Sequence, residues 1–187
     1  MPRPQHRPSL AKGLLSGIAA GIVATLAMDQ FQNLLAAAQK AADKQEKLAQ
    51  GETPWTIANE QAQQEIKQQE SEGSTEKVAR KLAETAGVTI PKDRIKTAGQ
   101  AVHFTIGTLM GVCYSATAEF VPEITIGGGT AFGTLLFLAA DEVAVPAFHL
   151  SDPPTEQPAS SHLQYWAAHI VYGGTLELAR NILRRLM

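Results

Sequence analysis

The chain has 187 residues, of which 44% are hydrophobic and 18% are charged, with 16 Lys and Arg against 18 Asp and Glu. Its length suits a single domain. The formal net charge of -2 argues against a nucleic-acid partner, because binding to phosphates requires a basic excess on one face. The single cysteine, Cys113, excludes both a disulfide framework and a cysteine-based zinc site.

The charges are unevenly distributed along the chain. Residues 39–96 carry ten of the 16 basic and ten of the 18 acidic side chains. Long stretches without Asp, Glu, Lys or Arg occupy residues 13–28, 97–118, 124–140 and 157–176. A helix on a soluble core shows charge on its outer face about every turn, whereas roughly 20 uncharged residues are long enough to span a bilayer. The mean hydropathy of -0.08 therefore averages two different compositions.

These stretches predict an all-α protein, a four-helix transmembrane bundle in a single multi-pass membrane domain over residues 1–187. The predicted helices cover residues 12–38, 97–121, 124–148 and 162–183. Pro122 ends the second helix, and Pro153 and Pro154 make the segment before the fourth helix a loop. Because the helices are rich in Ala, Gly and Thr and only moderately hydrophobic, a soluble helical bundle is the alternative.

Residues 39–96 form a polar, partly helical excursion between the first and second predicted helices. Ser74 is suited to cap a helix that runs through Leu82, and Gly87 is suited to end it. Trp55 fits either the headgroup level of a membrane, where aromatic rings concentrate, or the interior of a small subdomain. Because the charges of the excursion cancel, no electrostatic partner is assigned to it.

Basic residues near the ends of the chain predict the orientation. They are Arg3, Arg7 and Lys12 before the first helix and Arg180, Arg184 and Arg185 at the end of the fourth. Four crossings place both termini on one side of the membrane, and the positive-inside rule makes that side cytoplasmic. The first helix is too long for a secretory signal. The lipid bilayer is thus the first predicted partner.

Small residues recur every four positions in the predicted helices. They are Gly13, Gly17 and Gly21 in the first helix, Gly107 and Gly111 in the second, and Gly129 and Gly133 in the third. A spacing of four keeps such residues on one helix face, where backbones approach each other closely. Packing within the bundle is the preferred interpretation, and a homo-oligomer or a membrane partner bound through the same face is the alternative.

Ionisable side chains at membrane depth are the candidate functional residues, because charge is costly in hydrocarbon. At a rise of 1.5 Å per residue, one group falls in the outer half of the bundle: Asp29, His103, Asp141, Glu142 and His169. Consecutive helical side chains point about 100° apart, so only one of Asp141 and Glu142 is expected to face this cluster. A second group lies near the opposite end: Glu119, Glu177 and Arg180. Arg180 or Arg184 is available to pair with Glu177.

Three interpretations of the first group stay open. The first is a polar intramembrane site for ion or proton handling, or a site in a partner subunit. The second is a membrane-embedded enzyme in which Asp141 or Glu142, His169 and His103, together with Asp29, hold zinc or a transition metal. The third is a structural bundle in which these groups hydrogen-bond between helices. No helix carries a Glu-x-x-His or His-x-x-x-His pair, so no cofactor is predicted.

Catalytic sequence motifs are missing. The chain contains neither Gly-x-Ser-x-Gly nor the phosphate-binding Gly-x-x-x-x-Gly-Lys, and the preferred interpretation is therefore not an enzyme. Cys113 lies in the middle of a predicted helix among apolar neighbours, which predicts a small core residue.

Three segments in the second half of the chain carry a family resemblance. They are residues 101–119, with Gly107, Gly111 and Tyr114; residues 140–147, Ala-Asp-Glu-Val-Ala-Val-Pro-Ala; and residues 169–180, with Glu177 and Arg180. These segments resemble the YagU-like family of bacterial inner-membrane proteins. The resemblance implies a small multi-pass inner-membrane protein whose activity is not established. The family pattern has Gly where this chain has His149, so His149 is not carried over as a site residue.

Overall fold

The computed structural model describes residues 8–187, so Arg3 and Arg7 lie outside the described residues. The described chain is helical and contains no strand, which confirms the all-α prediction. Its helices are α1 (Leu10–Ala49), α2 (Pro54–Glu70), α3 (Ser74–Thr85), α4 (Ile95–Ala118), α5 (Thr130–Phe137), α6 (Val145–Ala147) and α7 (Ala159–Leu186). A π-helical segment, Leu138–Ala144, joins α5 to α6. We call this continuous stretch the α5–α6 rod.

Helix α1 continues to Ala49, although the sequence predicts an end at residue 38. The added residues are good helix formers, and the chain has no Gly or Pro until Gly51, which ends the helix with a φ of 89°. Helix α2 runs back beside this extension, where Lys40 and Lys47 form ion pairs with Glu65 and Glu60 at 2.9 and 2.8 Å. The excursion thus begins as a helical hairpin.

The tip of the α1–α2 hairpin carries Trp55, whose surface is 81% exposed. The prediction that Trp55 lies in the interior of a small subdomain is therefore wrong, and its placement at the headgroup level stays a prediction. Helix α3 begins one residue earlier than predicted, since Gly73 and not Ser74 is the N-cap, and the Gly73 N–H donates to the Glu76 carboxylate. Gly87, with a φ of 71°, follows the end of α3 as expected.

The third predicted helix begins later than expected. Residues Pro122–Gly129 form 3-10 turns, and Gly127, Gly128 and Gly129 all have positive φ. Three consecutive residues in the left-handed region interrupt a right-handed helix. The regular helix therefore starts at Thr130, and the three glycines make the turn that reverses the chain after α4.

Glycines allow the helices to approach at backbone contact. A Cβ placed on Gly17 would lie 2.6 Å from the Val112 Cα, and one placed on Gly111 would lie 2.6 Å from the Gly21 Cα. On the other side of the bundle, a Cβ on Gly133 would lie 2.1 Å from the His169 carbonyl oxygen. The small residues thus pack within the chain, which was the preferred interpretation of their spacing.

Four helical segments, α1, α4, the α5–α6 rod and α7, surround the core. Helix α1 packs against both α4 and α7, and α5 packs against α7. Tyr114, Tyr172 and Leu176 fill the centre together with Ala20 and Ala24. Consecutive segments run in opposite directions. One end of the bundle carries Glu119, Glu177, Arg180 and Arg184, and we call it the arginine end. Helices α2 and α3 project from the other end, which we call the excursion end.

Large apolar side chains cover the outside of the bundle, while small ones fill the inside. The buried residues of α1 are Gly13, Ser16, Gly17, Ala20, Gly21, Ala24, Thr25 and Met28. Leu15 on the same helix is 61% exposed, and Val143 in the rod is 63% exposed. Cys113 also lies on the outer surface, so its prediction as a core residue is wrong. By length and composition, two helical stretches of the described chain could cross a membrane, Leu10–Ala49 and Pro122–Ala147.

Candidate functional site

The π-helical segment of the rod positions two adjacent carboxylates. Pro146 has no N–H to continue the α-helical hydrogen bonds, and the Val145 N–H donates to the Ala140 carbonyl five residues earlier. Such π-helical turns are rare in proteins, and many of those that are found lie at functional sites. Within this segment Asp141 lines a cavity, whereas Glu142 contacts α7. Only one of the two carboxylates therefore reaches the cavity, as their spacing predicts.

The cavity has a volume of about 340 Å³ and lies at the excursion end. Its carboxylate and imidazole lining residues are Asp29 from α1, His103 from α4, Asp141 from the rod and His169 from α7. Ser74 and Thr75 at the start of α3 also line it, so the excursion closes part of its mouth. Each long helical segment thus contributes one carboxylate or imidazole to the same space.

The first histidine–carboxylate pair joins α1 to α4. The Asp29 Oδ1 lies 3.0 Å from the His103 Nε2. Gln100, one turn earlier on α4, donates its amide N–H to the Asp29 Oδ2 at 2.8 Å. The His103 Nε2 is buried, and its contact with Asp29 lacks hydrogen-bond alignment. The Asp29 and His103 side chains are 20% and 27% exposed.

The second pair joins the rod to α7. The His169 Nδ1 lies 3.4 Å from the Asp141 Oδ2 and 2.9 Å from the Tyr165 carbonyl oxygen. A carbonyl oxygen only accepts hydrogen bonds, so Nδ1 carries the proton of that contact. Tyr172 donates its hydroxyl proton to the Gly107 carbonyl at 2.5 Å and lines the cavity beside His169. Of the two histidines, His169 is therefore the more buried, at 9% exposure against 27% for His103.

Glu142 does not join these residues. Its Oε1 lies 2.5 Å from the His162 Nδ1, and the His162 Nε2 lies 3.0 Å from the Pro154 carbonyl oxygen. This contact links the rod, the loop after it and the first turn of α7. Among residues 8–187, no group of three or more His, Cys, Asp and Glu side chains converges as metal ligands do. The cavity holds histidine–carboxylate pairs instead.

The residues predicted near the opposite end form a buried network of two arginine–glutamate pairs. Arg184 donates through Nε and Nη2 to Glu119, both at 2.6 Å, and the Ser9 N–H donates to the same carboxylate at 3.0 Å. Arg180 donates to both oxygens of Glu177 at 2.8 and 2.9 Å, the pairing that the three-residue spacing predicts. These bidentate contacts offset part of the cost of burying the charges.

Aromatic residues lie between the two groups. Tyr114 donates its hydroxyl proton to the Glu177 Oε2 at 2.9 Å, and its ring packs on Phe132 with centroids 4.7 Å apart. Tyr172, Tyr114 and Leu176 are all at most 2% exposed. The centre of the bundle is therefore a packed layer that separates the cavity from the arginine network.

A family model described as a protein of unknown function, DUF1440, matches residues 65–178. The chain belongs to the DUF1440 family. The matched residues of this DUF1440 protein run from the second half of α2 into α7, and they include His103, Asp141 and His169. Asp29 and Arg184 lie outside the match. No curated protein and no solved structure matches the chain.

Sequence reasoning missed several partners in this DUF1440 protein. Gln100 precedes His103 by three residues, and this spacing could have placed both on the helix face that meets Asp29. The contact between Glu142 and His162 had no local signal, because it depends on which helices are neighbours. The same holds for Glu119 and Arg184, which come from different helices.

Proposed function

We propose that this DUF1440 protein is a YagU-like, multi-pass protein of the bacterial inner membrane whose polar cavity takes up protons or a small cation. Its four long helical segments would all cross the bilayer. The single observation that carries the function is the pairing of His103 with Asp29 and of His169 with Asp141 around one cavity. No enzymatic reaction is proposed for the cavity.

The distribution of side-chain size supports the membrane location. Each of the two helical stretches that could cross a membrane contains an apolar segment of 18 residues, and only 39% and 17% of these segments are buried. A core helix of a soluble protein would bury most of such a segment. Here small residues mediate the helix contacts and Leu, Ile and Val face outward, which is the arrangement of helices that pack within lipid.

The direction of the helices supports the proposed orientation. Helix α1 begins and α7 ends at the arginine end, where Lys12, Arg180, Arg184 and Arg185 cluster. The positive-inside rule makes this end cytoplasmic. The excursion and the mouth of the cavity would then face the outside of the inner membrane.

The chemistry of a carboxylate beside an imidazole suits proton exchange. In a poorly solvated site, the neutral pair and the ion pair are close in free energy, so that a small change in the surroundings moves the proton. The His169 imidazole is 9% exposed, against 27% for His103. A proton or cation entering from the excursion end would meet both pairs around the same cavity.

The proposal is tested by flux into liposomes that contain the purified full-length protein. A pH-sensitive dye is enclosed, a potassium diffusion potential is imposed, and acidification is followed with and without sodium. We expect flux above that of protein-free liposomes, and we expect Asp141→Asn and His169→Gln to abolish it. Glu142→Gln is the matched control, because this neighbouring carboxylate points away from the cavity.

Three outcomes would overturn the proposal or a part of it. Wild-type flux equal to that of protein-free liposomes would remove the transport function and leave a structural bundle. Flux that survives both cavity substitutions would place the pathway elsewhere. Extraction of the protein from cell membranes by alkaline carbonate would contradict the membrane location itself.

A further inference from the structure

A second cavity of about 300 Å³ opens at the arginine end, on the opposite side of the packed tyrosine layer from the polar cavity. Its charged lining residues are Glu119, Arg180, Arg184 and Arg185. Three guanidinium groups thus face one carboxylate. The proposed ion site does not use this cavity.

The ion pairs of the network leave a positive charge at the rim of this second cavity. Glu119 neutralises Arg184, and Glu177 neutralises Arg180. Among the described residues, Arg185 has neither a hydrogen bond nor an ion pair, and it is exposed. The Nη1 of Arg180 lies 4.0 Å from Glu119, beyond hydrogen-bond distance. An anion entering the cavity would therefore meet one uncompensated guanidinium beside donors that are already held in place.

An apolar stripe leads to the same rim. Leu178, Ile182 and Arg185 are separated by four and three residues, so they share one face of α7. Leu178 and Ile182 are both exposed, and Arg185 ends the stripe. This face is apolar towards the middle of the bundle and basic at its end, as is required to contact an acyl chain and a headgroup together.

We infer that the cavity at the arginine end binds the phosphate of an anionic phospholipid, with Arg185 and Arg180 as donors and an acyl chain along Leu178 and Ile182. Guanidinium groups form strong, charge-assisted hydrogen bonds with phosphate. Basic pockets between membrane helices bind anionic headgroups on the cytoplasmic side. The inference rests on the membrane location in the proposed function and not on ion flux through the polar cavity.

The test is native mass spectrometry of the full-length protein released from nanodiscs that contain equal amounts of phosphatidylglycerol and phosphatidylcholine. We expect phosphatidylglycerol to remain bound preferentially. Arg185→Gln should lower this preference about fivefold, the change expected from removing one basic side chain at an anionic surface. Arg94→Gln is the matched control, because Arg94 is also exposed but precedes α4 at the excursion end.

Competition measurements distinguish binding of a phospholipid from binding of free phosphate. Soluble glycerol phosphate and inorganic phosphate are added to the detergent-purified protein, and neither should displace bound phosphatidylglycerol at millimolar concentration. Displacement by inorganic phosphate would overturn the lipid assignment. Equal retention of both lipids by a protein that resists carbonate extraction would overturn the inference alone, whereas extraction by carbonate would overturn the membrane location.

Discussion

Gly129 and Gly173 touch through their backbones, because a Cβ placed on Gly129 would lie only 2.1 Å from the Gly173 carbonyl oxygen. A Cβ on Gly173 would in turn lie 2.2 Å from the Gly129 carbonyl oxygen. The turn after α4 and helix α7 are thus held at a distance that admits no side chain. This contact fixes how the α5–α6 rod meets α7 and, through them, the distance between Asp141 and His169.

The close contact makes Gly173 sensitive to the smallest substitution. Gly173→Ala should lower the free energy of unfolding in detergent by about 1–3 kcal/mol, the usual cost of overpacking. Gly174→Ala is the matched control, since nothing lies within 4 Å of a Cβ at that position. It should stabilise α7 by about 0.5–1 kcal/mol, because Ala replaces Gly inside a helix. Thermal denaturation of both variants measures the difference, and equal effects would contradict the packing.

Removing the carboxylate from the ion pair between Glu119 and Arg184 should destabilise the protein strongly. Their side chains are only 4% and 5% exposed, so Glu119→Gln leaves a buried guanidinium without its carboxylate. We expect a loss of about 3 kcal/mol in unfolding free energy, measured by titration with SDS. Glu65→Gln breaks the exposed pair with Lys40 and should cost less than about 1 kcal/mol. Similar losses in the two variants would show that the Glu119 pair is solvated.

The protein should be more stable with glycine in place of His149. It has a φ of 56°, in the left-handed region where a Cβ is unfavourable, and its side chain is exposed. His149→Gly should raise the free energy of unfolding by up to about 1 kcal/mol, whereas His149→Ala should not. A loss of stability in the glycine variant would indicate that the imidazole makes a stabilising contact.

Cys113 provides a test of the membrane location without any mutation. It lies on the exposed face of α4 beside Leu109, so in a bilayer it would face lipid. In intact vesicles we expect a water-soluble maleimide to leave Cys113 unmodified, because lipid excludes the reagent. With Cys113→Ala, a cysteine introduced at Ser71 should react from the outside. Reaction of that cysteine only from the cytoplasmic side would overturn the orientation, and rapid labelling of native Cys113 would contradict its lipid contact.

The metal alternative is tested by elemental analysis of the purified protein. Because the described histidines and carboxylates form separate pairs, we expect no near-stoichiometric zinc, iron or manganese. The Asp141→Asn, His169→Gln double variant is measured in parallel. Metal that is present in the wild-type protein and lost in this variant would support the membrane-embedded enzyme instead.

Features that depend on one helix at a time could be predicted from the sequence. Helix rise alone placed Asp29, His103, Asp141 and His169 at a similar depth, and the spacing of three residues paired Arg180 with Glu177. The partners of Glu119 and Glu142 could not be predicted, because they depend on the neighbours of α7. The extension of α1 past residue 38 had a local signal in its helix-forming residues, but the switch from apolar to charged composition concealed it.

The length of α1 has a mechanical consequence. At 1.5 Å per residue its 40 residues extend for about 60 Å, from the arginine end past Asp29 to the hairpin that carries Trp55. If a rigid helix of that length tilts by about 5° at its base, its tip moves by about 5 Å. Any rearrangement that reorients α1 around the cavity is thereby amplified at an exposed indole on the far side of the bundle.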